Sequence, residues 1–188
     1  MAFTIVGLGN PGKEYEDTRH SVGRFFAGRF AEECGCSPWE YRKEKKSKVS
    51  AGVFEKEKII LVLPETFMNV SGSAVKHFVK SPAGRKKLIV IHDDLDLPIG
   101  TFKVSFNRGE AGHKGVLSLS RALRGRDFYR IRVGISRAGR GNQAKKVSGE
   151  RAVKNFVLAR FSKKELAALE ALFAPIRESI GKIISGKL

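Results

Sequence analysis

A chain of 188 residues carrying 36 Lys plus Arg against 19 Asp plus Glu, a net charge of +17, is long enough to bury one core without staples and far more cationic than solubility requires. The excess selects a polyanionic partner, nucleic acid ahead of an anionic membrane, because the basic residues are spread along the chain and no apolar run approaches the roughly 18 residues of a membrane span. Cys34 and Cys36 are too close for an unstrained disulfide and read as reduced, and neither they nor the histidines at 20, 77, 92 and 113 have metal-site spacing, so no metal and no cofactor is expected.

Residues 2–6, apolar and β-branched before a glycine, read as a buried strand of a largely parallel sheet. The run is too short and lacks the basic flank of a signal peptide, so a cytoplasmic protein is expected. Residues 7–20, GLGNPGKEYEDTRH, form a loop at the carboxyl end of that strand, where open α/β sheets place their chemistry. Gly7, Gly9 and Gly12 satisfy the G-x-G-x-x-G pattern, but Gly12 is followed by a polar run rather than a helix, and no acid caps a second strand about twenty residues on. Dinucleotide binding is therefore the weaker reading. His20 closes the loop just before a helix over 22–33, whose apolar side is Phe25, Phe26, Ala27, Phe30 and Ala31 and which Gly35 stops.

Residues 37–48 are polar and basic with Trp39 and Tyr41 interleaved, a composition that suits single-stranded nucleic acid or a solvated connector with one aromatic anchor. Residues 49–54 and 58–63 predict a hairpin, ended by Pro64. Asn69 or Ser71 then caps a helix carrying Val70, Ala74, Val75, Phe78 and Val79, with Phe67 and Met68 partly in the core. The strand over 87–91 runs into HDDLDLPIG. There Leu95 and Leu97 alternate with acids so that Asp94 and Asp96 share one side and Asp93 takes the other, which implies one functional carboxylate and two solvated ones.

A strand over 101–106 leads to NRGEAGHKG, a glycine-rich turn before a helix over 116–123 and a ready anion site through its free amides. A further strand spans 128–135, and SRAGRGNQAKK over 136–146 reads as a mobile loop whose four cations suit phosphate. After residues 152–160, Ser162 caps a last amphipathic helix through Leu166, Leu169, Leu172 and Phe173, interrupted near Pro175 and resuming to Ile184. No repeat or second domain boundary appears over 1–188. The order predicts a single three-layer α/β domain with a twisted mixed β-sheet flanked by helices.

GLGNPGKEYEDTRHSVG, PETFMNVSG, HDDLDLPIG and GHKG, in that order, resemble bacterial-type peptidyl-tRNA hydrolase over nearly the whole chain. The resemblance implies a monomeric, metal-independent cytoplasmic esterase whose partner is peptidyl-tRNA and whose product is recycled tRNA. It implies His20 as general base for an attacking water and Asp93 as the carboxylate that fixes its tautomer, the His and Asp of a triad with water in place of serine. Asn10 matches the residue that senses the peptide amide, a neutral group able to accept from the N–H of an acylated residue, and Asn69 one close enough to assist the oxyanion. Tyr15 and Phe67 match aromatics at the tRNA 3′ end. Two positions depart from the pattern. Lys114 replaces the asparagine of GHNG, and is expected to contact a terminal phosphate and lower the pKa of His20. Ser105 stands where related enzymes often carry a basic residue of a 5′-phosphate clamp, leaving Arg132 with Lys103 to compensate. The competing reading is a noncatalytic RNA-binding relative on the same scaffold, against which the intact Asn10, His20 and Asp93 argue.

Overall fold

The computed structural model describes residues 2–139 and 143–188; the part of the expected 136–146 loop at 140–142 lies outside the described residues. The strands are β1 (Phe3–Gly7), β2 (Glu40–Arg42), β3 (Ser47–Phe54), β4 (Glu57–Pro64), β5 (Leu88–Pro98), β6 (Phe102–Phe106) and β7 (Tyr129–Ser136). They form one seven-stranded sheet in the order β2-β3-β4-β1-β5-β7-β6. β1 lies parallel between β4 and β5 and β7 continues parallel to β5; the β3–β4 hairpin, with β2 outside it, pairs antiparallel on one side, and β6, joined to β7 through a helix, pairs antiparallel with it on the other. The sheet is mixed, as the chain order predicts.

The helices are α1 (Val22–Glu33), α2 (Gly72–Val75), α3 (Pro82–Lys86), α4 (Lys114–Leu123), α5 (Glu150–Leu158), α6 (Lys163–Glu170) and α7 (Phe173–Ile184). On one face of the sheet Phe26 and Phe30 of α1 join Ile5, Ile91, Ile131 and the apolar sides of α5 to α7. On the other, Val116, Leu119 and Leu123 of α4 and Val75 of α2 pack on Val6, Val62 and Val90. β1 and the centre of β5 are covered on both faces, which is why they read as unbroken apolar runs.

α1 sits unusually close to the sheet because Gly23 has no side chain. A Cβ there would lie 2.2 Å from the Ile91 carbonyl oxygen and 2.6 Å from that of Leu8, well inside contact distance. Gly23→Ala is therefore expected to destabilise the protein by about 1 to 3 kcal/mol, read as a lower urea midpoint at unchanged slope. A midpoint equal to wild type would show that α1 can retreat at no cost.

Several elements differ from expectation for identifiable reasons. β5 does not end at Ile91 but carries His92, Asp93 and Asp94 within the sheet, because β7 pairs with it as far as Asp94↔Gly134 and again at Pro98↔Ser136. Asp94 is buried rather than solvated, bonded to Arg132, whereas Asp96 is exposed. Glu40–Arg42, inside the expected connector, forms an edge strand against β3. The helix expected after Asn69 is only the short turn Met68–Val70 followed by α2, with no side-chain cap at either start. α6 begins with the expected Ser162 cap, reciprocated by Glu165. Pro175 lies in the first turn of α7, where its missing N–H costs no helical bond.

Candidate active site

The loop after β1 reaches the carboxyl end of the sheet and is tied down from behind. The Thr18 hydroxyl donates to the Tyr15 carbonyl at 2.8 Å, the Arg19 N–H to the Ala159 carbonyl at 3.0 Å, and the Phe161 N–H to that of Asp17 at 3.1 Å. The Arg19 guanidinium is buried, bonds Glu165 at 2.7 Å and the Arg160 carbonyl at 2.9 Å, and lies over the rings of Phe156 and Phe161. The residue next to it, His20, is thus carried on a 3-10 turn, Arg19–Ser21, clamped between α1 and the α5–α6 connection. Sequence reasoning passed over Arg19, whose partners lie more than 130 residues away.

His20 Nδ1 lies 2.9 Å from each carboxylate oxygen of Asp93. His113 Nε2 lies 2.9 Å from Asp93 Oδ1, so one buried carboxylate serves two imidazoles. The tautomer of the second follows from its other nitrogen. His113 is the N-cap of α4, and its Nδ1 accepts the N–H groups of Gly115 and Val116 at 3.1 and 3.2 Å. A nitrogen that accepts two donors carries no proton, so the His113 proton is on Nε2 and points at Asp93. The amides expected to form an open anion site are in part occupied by this ring.

The same logic constrains His20. Asp93, ionised, is acceptor-only, so His20 presents Nδ1–H to it and keeps the Nε2 lone pair for other use. Burial opposes the charge on Asp93, but the two imidazoles, by charge and by hydrogen bond, outweigh it and hold the carboxyl well below the usual carboxylate range. For His20 burial pulls down hardest, yet the charge and hydrogen bond of Asp93 leave it above the ordinary histidine value, with the Lys114 ammonium pulling it back. A third imidazole completes the group. Buried His92 donates from Nδ1 to the Asp93 carbonyl at 2.7 Å and packs its ring 4.6 Å from that of His113. Burial, then the neighbouring His113, keeps it neutral, with its pKa well below the ordinary value.

The ligand atoms of His20, Asp93 and His113 lie within 4.8 Å of one another, close enough for a metal ion. The bonding does not suit one, because the α4 amides hold the proton on His113 Nε2 and leave that nitrogen no lone pair to give.

The expected site residues otherwise gather along a single cleft. Asn10, Tyr15, His20, Phe67, Asn69, Asp93, Lys103 and Lys114 all line it, and so does His113, to which the sequence assigns no role. The Asn10 side-chain oxygen accepts the Met68 N–H at 2.9 Å, joining the first loop to the Phe67–Asn69 rim. Tyr15 and Phe67 meet edge to face, ring centroids 6.5 Å apart, with Phe67 58% exposed. Lys114, in the first turn of α4, points its ammonium toward Glu150 at the start of α5, 3.8 Å away. Arg132 is not part of the cleft wall. It pairs with Lys103 across β6 and β7, but its Nε donates to Asp94 Oδ2 at 2.6 Å, so much of its charge is already met.

Known proteins resemble this chain in sequence and in fold. The family model described as peptidyl-tRNA hydrolase matches residues 4–188. A peptidyl-tRNA hydrolase of Geobacter metallireducens is 36% identical over 185 residues, covering 98% of this chain and 89% of the relative. One of Geobacter sulfurreducens is 41% identical over 171 residues, covering 89% and 81%. The crystal structure of peptidyl-tRNA hydrolase from Acinetobacter baumannii superposes with a TM-score of 0.86 at 28% identity, over 99% of this chain and 90% of that one. With the match running from the second residue of β1 to the end of the chain, and the cleft-lining residues within it, the chain belongs to the peptidyl-tRNA hydrolase family.

Proposed function

We propose that the cleft hydrolyses the ester between a peptide and the 3′-terminal ribose of tRNA, with His20 as general base. The observation that carries the reading is the two-oxygen contact of Asp93 with His20 Nδ1, which leaves Nε2 as the only basic atom of the ring. A water held there loses its proton to Nε2 as its oxygen attacks the ester carbon. The tetrahedral oxyanion then expels the ribose oxygen, which takes the proton back from the imidazolium that Asp93 stabilises. An ester has a good enough leaving group for water to act directly, so no serine or cysteine is needed. Asn69, exposed on the rim of the cleft, is the neutral donor assigned to the oxyanion in this reading.

Asn10 supplies the selection for a blocked amine. Its oxygen accepts the Met68 N–H, which fixes the amide and leaves its Nδ2–H groups to offer the substrate beside the oxygen's second lone pair, the acceptor the resemblance implies. The Nδ2–H donors fit the amide carbonyl carried on a blocked α-amine, which free aminoacyl-tRNA, with its ester carbonyl alone, lacks. The perpendicular rings of Phe67 and Tyr15 provide a corner for the terminal base, and Lys103 and Lys114 are offered to phosphate. One chain supplies every group named, which supports action as a monomer, and a tRNA substrate supports a cytoplasmic setting. Among the described residues no helix is long and apolar enough to cross a membrane.

The test is release of labelled amino acid from tRNA with and without N-acetylation. Acetylated substrate is expected to be cleaved at least roughly 100-fold faster, since an unmet donor in the site penalises the unblocked one. Tight tRNA binding without release of either label would make the chain an RNA-binding relative instead.

A further inference from the structure

The carboxyl end of the sheet carries basic residues on both sides of the cleft, and the two sides differ in how free their charge is. On the β6–β7 side Arg132 is bonded to buried Asp94, while Lys103 is exposed on the cleft. On the other side β3 begins where β4 ends, with Ser47 paired to Pro64 and to Arg42 of β2. The turn between β2 and β3, Lys43–Lys45 followed by Lys46, therefore stands at the same end of the sheet as His20. Lys43 and Lys46 are exposed, and among the described residues no carboxylate pairs with either. Lys45 lays its stem against Phe78, its ammonium 5.2 Å from the ring centroid, and this brings the turn against the end of α2, where Lys76 and Lys80 flank Phe78 and are exposed.

This ledge is joined to the cleft by backbone. The Glu65 N–H donates to the Lys46 carbonyl at 2.8 Å, and Arg24, one turn of α1 beyond His20, holds the Pro64 carbonyl at 2.7 Å and the Glu65 carboxylate at 2.6 Å. Two residues later Phe67 opens the rim, and the next N–H is the one Asn10 accepts. A single rigid path thus runs from the catalytic loop to the lysines. Charged residues on an edge strand also discourage sheet-to-sheet pairing. That role needs cations along β2 itself, however, whereas these sit past its end on a left-handed turn, Lys46 having φ 49°.

We propose that the β2–β3 turn and the end of α2 form a second RNA-binding ledge, which holds the sugar–phosphate backbone of the substrate tRNA beyond the 3′ end that enters the cleft. The proposal rests on the tRNA reading of the cleft but assigns it a footing on the side opposite Lys103. Each phosphate held by a free lysine releases counterion on binding, so removing the lysine reduces the salt dependence of affinity.

The experiment compares Lys43→Gln/Lys46→Gln with Lys56→Gln/Lys58→Gln, the same loss of charge at the far end of the β3–β4 hairpin, using uncharged full-length tRNA and measuring Kd from low to high salt. The first pair is expected to make the slope of log Kd against log salt shallower by roughly 1.4 to 1.8, at 0.7 to 0.9 per lost phosphate contact, and the second to leave it at the wild-type value. A wild-type slope in the first pair, or an equal fall in both, overturns the ledge. Thermal melting of both pairs checks that the fold is kept. Hydrolysis of N-acetylated substrate by wild type is measured separately, so a failure of the esterase reading is distinguishable from a failure of the ledge.

Discussion

Replacing Asp93 by asparagine is expected to lower kcat by about 10,000-fold while leaving the fold in place. The size of the loss follows from an asymmetry between the two histidines that share the carboxylate. His113 cannot change tautomer, because the Gly115 and Val116 amides hold its Nδ1 as an acceptor. Its Nε2–H must therefore keep an oxygen at the Oδ1 position, and an asparagine has only one oxygen to give. The amide nitrogen then occupies the Oδ2 position, 2.9 Å from His20 Nδ1, and donates where the carboxylate accepted. His20 is driven to carry its proton on Nε2, the atom that has to receive one from water. The anion that would stabilise the imidazolium is lost at the same time. Nitrogen chemical shifts of His20 should report the switched tautomer in the folded variant. An Asp93→Asn enzyme within about tenfold of wild type would place the base elsewhere.

The same asymmetry shows where sequence reasoning stops. β1 and α1 are legible because each is specified by its own spacing: an unbroken apolar run covered on both faces, and apolar residues three and four apart. Glu40–Arg42 has no such pattern, since all three residues are exposed, and becomes a strand only because β3 offers it an edge. HDDLDLPIG looks like a loop by composition but is sheet, because the partners that make it so, Arg132 through Gly134, lie about forty residues on. Asp94 is solvated in a local reading and buried in the fold for the same reason. His20 and Asp93 are marked in the chain by what surrounds them, a polar glycine-rich loop after one apolar run and a burst of acids after another. His113 carries no local sign of its function, as it reaches Asp93 only when α4 folds back over β5; its one signal is its position at a helix start, where a side-chain acceptor is wanted.

His20→Ala is expected to reduce kcat by roughly 100- to 10,000-fold, the usual worth of a positioned general base, with substrate affinity little changed. The pH profile supplies a test that a merely structural histidine would not pass. The neutral ring is the active form, so kcat/KM should rise with pH and level off once His20 is deprotonated. Burial alone would move that limb to low pH, but Asp93 holds the proton more strongly and places it above the ordinary histidine value of about 6.5. Lys114 acts in the opposite sense, since a nearby ammonium disfavours a second positive charge. Lys114→Asn should therefore shift the rising limb toward higher pH, leaving less active base at neutrality even though no atom of the His20–Asp93 pair has changed. The His20→Ala residual activity should lose this limb altogether. A limb that survives in the alanine variant would belong to another group. A limb that stays put in Lys114→Asn would show that Glu150, 3.8 Å from the ammonium, already cancels its charge, and would leave phosphate contact as the reason for a lysine beside His113.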